Sequence, residues 1–122
     1  MIRPFGYIHQ GLKVEFYVTP SGRSPVEDFI KCLPLGDKER FRAILEGIEK
    51  EGVHFSRAQF KPLTGKLWEV KFSAPSGGFR IAYFIRKGGI MVIVHAFRKA
   101  TQKTPHSDLD LAVRRMKELM DL

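Results

Sequence analysis

Lys66-Leu67-Trp68-Glu69-Val70-Lys71-Phe72-Ser73, the turn Ala74-Pro75-Ser76-Gly77, and Gly78-Phe79-Arg80-Ile81-Ala82-Tyr83-Phe84-Ile85-Arg86 form the stretch that decides the fold. Apolar and polar residues alternate along two β-rich runs joined by a Pro-Ser-Gly turn, the pattern of a half-buried hairpin. Pairing Ser73 with Gly78 sets Phe72 opposite Phe79, Val70 opposite Ile81 and Trp68 opposite Tyr83. A slip of one residue would turn all of these to the other face, so their agreement supports the register. A third run, Ile90–Phe97, follows Gly88-Gly89 as a second hairpin. Pairing Lys87 with Ile90 brings Ile85 to Val92, Tyr83 to Val94 and Ile81 to Ala96, again on the apolar face.

The same pairings write out the opposite face. One row across three strands is Lys71, Arg80, Phe97, and the next is Glu69, Ala82, His95. Lys99 continues the parity of Phe97 just past the strand. Like charges directly opposite each other cost a sheet roughly 0.2–1 kcal/mol. Lys71 beside Arg80 therefore suggests an anion held between them, and Phe97 beside two cations suits a stacked RNA base. The plain alternative is the solvated face of a half-covered sheet. His95 taken alone reads first as a packed or solvent-facing histidine.

Upstream, Leu12-Lys13-Val14-Glu15-Phe16-Tyr17-Val18 alternates strictly and reads as a strand, after an irregular arm over residues 1–11. Ser24-Pro25-Val26-Glu27 starts a helix with capping serine, first-turn proline and capping-box glutamate in agreement. Its apolar stripe is Val26, Phe29, Ile30 and Leu33. Pro34-Leu35-Gly36 ends it, and Asp37 is expected to cap a second helix with Phe41, Ile44, Leu45 and Ile48 as its stripe and Gly52 as its stop. Residues 53–65 read as a connector. After the third strand, Arg98–His106 is an irregular basic segment. Ser107 is expected to cap a last helix carrying Leu109, Val113, Met116 and Met120. The order β-α-α-β-β-β-α gives an α+β class: a small, mainly antiparallel sheet with a helical hairpin packed on one face.

The whole chain, residues 1–122, suits a single domain, since 122 residues leave no room for two. Hydrophobic residues at 43% and charged residues at 28% exclude a disordered chain. Short apolar runs and the absence of a secretory signal point to the cytoplasm, with no membrane partner. One cysteine, Cys32, excludes an internal disulfide or a Cys-rich zinc site. His9, His54 and His106 lie in separate loops without ligand spacing, so neither metal nor cofactor is expected. The net charge of +8 favours a polyanionic partner, either nucleic acid or an acidic protein segment.

Several of these stretches match a known family. Ser24-Pro25-Val26-Glu27-Asp28-Phe29, Lys61-Pro62-Leu63, Leu67-Trp68-Glu69-Val70-Lys71, Phe79-Arg80-Ile81-Ala82-Tyr83 and His95-Ala96-Phe97-Arg98-Lys99 stand in the right order, closed by Thr101-Gln102-Lys103-Thr104-Pro105. In these the chain resembles the RelE superfamily of bacterial toxins, in its phage-derived HigB-like branch of type II toxin–antitoxin systems, over about Val14 to Leu119. The resemblance implies a RelE-like fold and an mRNA interferase. Such an enzyme is a metal-independent endoribonuclease that cuts messages on the ribosome, stops translation and growth, and is neutralised by a helix-turn-helix, HigA-like antitoxin. In that chemistry a ribose 2′-OH attacks the adjacent phosphate, so the site must move protons and stabilise charge on the phosphorane. On this sequence Arg80 falls to transition-state stabilisation with Lys71 in support, Lys99 to general base, and His95 to the competing acid/base role. Lys103, Phe97, Glu69 and Arg98 complete the candidate set as RNA-binding residues. Lys71 stands where the family usually has arginine, and Ala100 where a second lysine is usual. A catalytically weak RNA- or ribosome-binding module on the same fold, and a structural protein whose basic face docks an acidic chain, are the competing functions.

Overall fold

The computed structural model describes residues 11–120; the arm predicted over residues 1–11 lies, except for Gly11, outside that range, as does His9. The elements are β1 (Lys13–Phe16), α1 (Pro25–Lys31), α2 (Leu35–Glu51), a 3₁₀ turn at Gly52–His54, β2 (Gln59–Thr64), β3 (Leu67–Ala74), β4 (Gly77–Arg86), β5 (Ile90–Arg98) and α3 (His106–Met120). The five strands make one sheet in the order β1-β5-β4-β3-β2. β1 runs parallel to β5 and every other pair is antiparallel. No helix among the described residues is long and apolar enough to cross a membrane.

The helix starts differ in their chemistry. At α1 the Ser24 hydroxyl accepts from the Glu27 amide at 3.3 Å, and Pro25 opens the first turn. Asp37, expected to cap α2, does not. That helix begins at Leu35 behind Pro34, with no side-chain cap. The Asp37 carboxylate is fully buried and turns to the tip of the β3–β4 hairpin, where it accepts from the Ser76 amide at 3.1 Å and from the Ser76 hydroxyl. The amide of a turn has no ladder partner, so a buried carboxylate from the neighbouring helix supplies one. Helix α3 begins one residue before the expected cap Ser107, directly after Pro105.

The first hairpin has the predicted register, from Trp68↔Tyr83 to Ser73↔Gly78. The second keeps it only at the far end, where Arg80 meets Phe97, Ile81 meets Ala96 and Ala82 meets His95. Between Ala82 and Tyr83 the register shifts: Tyr83 meets Ile93, Phe84 meets Val92 and Arg86 meets Ile90. Val94 is the extra residue of a β-bulge, and the turn is Lys87-Gly88-Gly89 with both glycines at positive φ. The bulge reverses the parity of β5. Met91 and Ile93 therefore face the helical hairpin, while Val92 and Val94 go to the other side. The predicted connector also contains a strand, β2, at the sheet edge, where Pro62 costs no ladder bond.

Two cores result, one on each face of the sheet. On the first, Val26, Phe41, Ile44 and Ile48 pack against Val70, Phe72, Phe79, Ile81 and Tyr83. Phe41 meets the Phe72 and Phe79 rings edge-on at 4.9 and 5.0 Å. Each such buried side chain stabilises the fold by roughly 1.5–3 kcal/mol. Trp68, predicted in this core, is 37% exposed near the sheet edge. On the second face Ala112 and Met116 of α3 cover Leu67, Ala82, Phe84, Val92 and Val94, while Met120 of the predicted stripe stays exposed. The face predicted to be open is therefore half closed by a helix.

Candidate functional site

The second face also carries the predicted rows, beside the start of α3. Gln59, Lys71, Arg80 and Phe97 align across four strands, and Lys61, Glu69, Ala82 and His95 form the row beneath. Their surroundings differ from an open platform. Glu69 and Arg80 are both fully buried, and Arg80 Nε lies 3.7 Å from Glu69 Oε2. The guanidinium also donates to the carbonyls of Thr101 at 2.7 Å and Gln102 at 2.6 Å, and to Thr104 Oγ1 at 3.3 Å. Thr104 Oγ1 in turn donates to Glu69 Oε1 at 2.6 Å. The basic segment after β5 thus folds back over the sheet and fills the anion site that the sequence placed at Arg80.

Phe97 is buried too, stacked on the His95 ring at 4.9 Å and 18°, and has no free face for a base. The open-face readings of Arg80, Glu69 and Phe97 are corrected accordingly: a helix and a loop cover what a three-strand pattern leaves bare. Arg98 points to the other side of the sheet. It donates to Ser76 Oγ at 2.9 Å, comes within 4.0 Å of Asp37 and lies over the Phe79 ring at 4.8 Å. That role is structural, separate from the other RNA-binding candidates.

His95 Nε2 pairs with Asp108 Oδ1 of α3 at 2.7 Å. Burial pushes the imidazole below the usual histidine range and Arg115 adds to this, against the opposing pull of Asp108. The ring ties β5 to the start of α3.

The residues that do come together are Lys71 and Lys99. They line a groove of about 600 Å³ at the end of the sheet, with Arg40 from α2, Arg57 and Gln59. No carboxylate lines it, and among the described residues none of its four cations has an acidic partner within 4.0 Å. Arg40 is aimed by its Nε–H, which donates to the Ser73 carbonyl at 3.0 Å. Lys99 is aimed by backbone: its amide donates to the Gly78 carbonyl at 2.9 Å, and its stem lies across Gly78. A Cβ on Gly78 would sit 3.3 Å from that stem, so glycine there gives the lysine its path over β4. Lys103 is exposed on the covering segment, outside the groove lining.

Arg40 and Arg57 escape any reading of strand parity. They belong to a helix and a connector that only the tertiary fold brings to the sheet end. The one signal available was a general surplus of cations. Among the described residues no three His, Cys, Asp or Glu side chains converge as a metal would need. What remains is an electropositive, carboxylate-free cleft suited to phosphate.

The family model described as "Phage derived protein Gp49-like (DUF891)" matches residues 28–117. No curated protein matches the sequence. Among solved structures, the chain is similar to one in the archaeal RelE–RelB complex from Pyrococcus horikoshii OT3, with 21% identity and a TM-score of 0.54. That alignment covers 73% of this chain and 96% of the other.

Proposed function

Because the chain belongs to the phage-derived Gp49-like family and carries the RelE fold, we propose that it is the toxin of a type II toxin–antitoxin pair of the HigB-like branch, an mRNA interferase. The observation that carries this reading is the groove lined by Lys71, Lys99, Arg40 and Arg57 with no carboxylate. An RNA backbone entering it meets cations on both walls. Lys71 and Arg40 stabilise the charge that grows on the phosphate as the 2′-OH attacks. Lys99 takes the hydroxyl proton as the 2′-oxygen bonds to phosphorus, the bond from phosphorus to the 5′-oxygen breaks to leave a 2′,3′-cyclic phosphate, and the departing 5′-oxygen takes its proton from solvent water. Lys103 grips the strand outside the groove. Arg80 serves from beneath, holding the segment that follows Lys99. His95, which does not line the groove, keeps β5 and α3 together. A small helix-turn-helix antitoxin, HigA-like, is the neutralising partner, and the ribosome presents the message.

Induced expression tests this directly. Growth should stop and new RNA 5′ ends should appear within coding sequences. Lys99→Ala or Lys71→Ala should each slow cleavage about 10²–10³-fold, the usual effect of removing one electrostatic group from such a site. Normal growth and unbroken messages would overturn the ribonuclease assignment. The burial of Arg80 favours one second reading, an RNA- or ribosome-binding module, since it withdraws the site's most rigid cation from the groove. Tight, salt-sensitive RNA binding without any cleavage would establish that module instead.

A further inference from the structure

We propose that Thr104 is a positioning residue: its hydroxyl pins the Thr101–Thr104 segment to a buried ion pair and thereby sets where Lys99 and Lys103 project. This rests on the reading of the groove as an RNA site.

The segment after Lys99 has no helix or strand of its own to order it. Thr101 Oγ1 donates to the Lys103 carbonyl at 2.5 Å and closes the segment on itself, but among the described residues only two side chains of the sheet hydrogen-bond to it. One is Arg80, through the Thr101 and Gln102 carbonyls. The other is Glu69, and it reaches the segment through Thr104 alone.

Thr104 Oγ1 is also the link that lets the ion pair tolerate burial. Glu69 Oε2 and Arg80 Nε are both buried without a hydrogen bond. The bond from Thr104 is thus the one hydrogen bond the Glu69 carboxylate receives among the described residues, and the same oxygen accepts from Arg80. A hydroxyl can donate and accept at once, which is the requirement here. A methyl in its place leaves the carboxylate without a donor. The guanidinium is then drawn toward Glu69 and away from the two carbonyls, and the segment loses its seat. Lys103 lies within that segment, and Lys99, its amide fixed on Gly78, stands two residues before it.

The test compares Thr104→Val, which keeps shape and removes the hydroxyl, with Thr104→Ser, which keeps the hydroxyl. Both are assayed at a temperature where circular dichroism shows them fully folded. Thr104→Val should lower kcat for message cleavage about 10²-fold, the scale of a misplacement near 1 Å, with KM changed much less. Thr104→Ser should stay close to wild type. Single-stranded RNA binding by Thr104→Val should also lose about 0.7 from its log–log salt slope, the one phosphate contact of Lys103, and the serine variant should not. Equal kcat and equal slope in valine and wild type would overturn the proposal, as would a serine variant as impaired as the valine one. If Thr104→Val fails to fold, Thr104→Ala removes the same hydroxyl and is judged by the same two readouts. A wild type that binds RNA without cutting it would sink the ribonuclease reading alone, leaving Thr104 to be judged on the salt slope. A wild type that does not bind RNA overturns both.

Discussion

Replacing Arg80 with alanine should destabilise the protein before it says anything about chemistry. The guanidinium is fully buried, 3.7 Å from a fully buried carboxylate, and satisfies two backbone carbonyls and a threonine. Arg80→Ala leaves the Glu69 carboxylate in the interior with Thr104 as its one hydrogen-bond donor among the described residues. Lys61, 3.9 Å away and half exposed, compensates little of that. Breaking a buried pair from one side costs about 3–5 kcal/mol, a large share of the roughly 5–15 kcal/mol that holds a domain together. At about 4 °C per kcal/mol for a chain of this size, Tm should fall by roughly 12–20 °C. Urea unfolding followed by circular dichroism measures the loss, provided the denaturant slope stays constant. The double variant Arg80→Met/Glu69→Leu removes both charges and should recover part of it, because an apolar pair strands no ion, although the Thr101 and Gln102 carbonyls still lose their donor. A loss under about 1 kcal/mol in Arg80→Ala, or a double variant as unstable as the single one, would refute the buried-pair account.

Three further outcomes follow from the same geometry. The Ser76 hydroxyl and amide hold the Asp37 carboxyl below the usual aspartate range despite its burial. Its contribution is therefore complete above about pH 3.9 and lost as pH falls through the lower folded value, so the stability gap between wild type and Asp37→Asn should close in acid. His95 is also held below its usual range, by burial first. The unfolded chain takes up a proton near pH 6.5 while the folded one does not, so stability should drop as pH falls from about 6.5. That slope should be weaker in His95→Gln, and an NMR titration placing His95 at or above 6.5 would contradict the assignment. Gly78→Ala should press on the Lys99 stem and cut RNA cleavage more than it cuts stability; equal activity would show that Lys99 reaches the groove by another path.

Local patterns were legible wherever the interaction partners are close in the chain. The β3–β4 register could be read because both sides of one hairpin had to bury their apolar residues together, and Phe72↔Phe79 and Val70↔Ile81 left one solution. The α1 start was legible from Ser24 and Pro25, whose effects span a single turn. β2 was hidden because Pro62 and a register irregularity interrupt its alternation, and an edge strand requires neither regularity nor burial. The Val94 bulge was hidden for a related reason. A run of five apolar residues from Ile90 to Val94 looks the same with or without one extra residue, and only the two cores reveal which side each residue serves.

Composition set the positive charge, and bond geometry with neighbours a few residues away set the alternation of the hairpins, the helical stripes and the row Lys71, Arg80, Phe97. Which members of that row meet solvent depends on packing between distant elements. Burial is a property of what packs on top, and here the Thr101–Thr104 segment, distant in sequence from β3, encloses Glu69 and Arg80, while Phe97 is buried against the His95 ring. The same packing brings Arg40 and Arg57, which belong to no strand, beside Lys71 and Lys99. A row of side chains is written in the strand period, but a site is made by the elements that cover one end of the row and leave the other open.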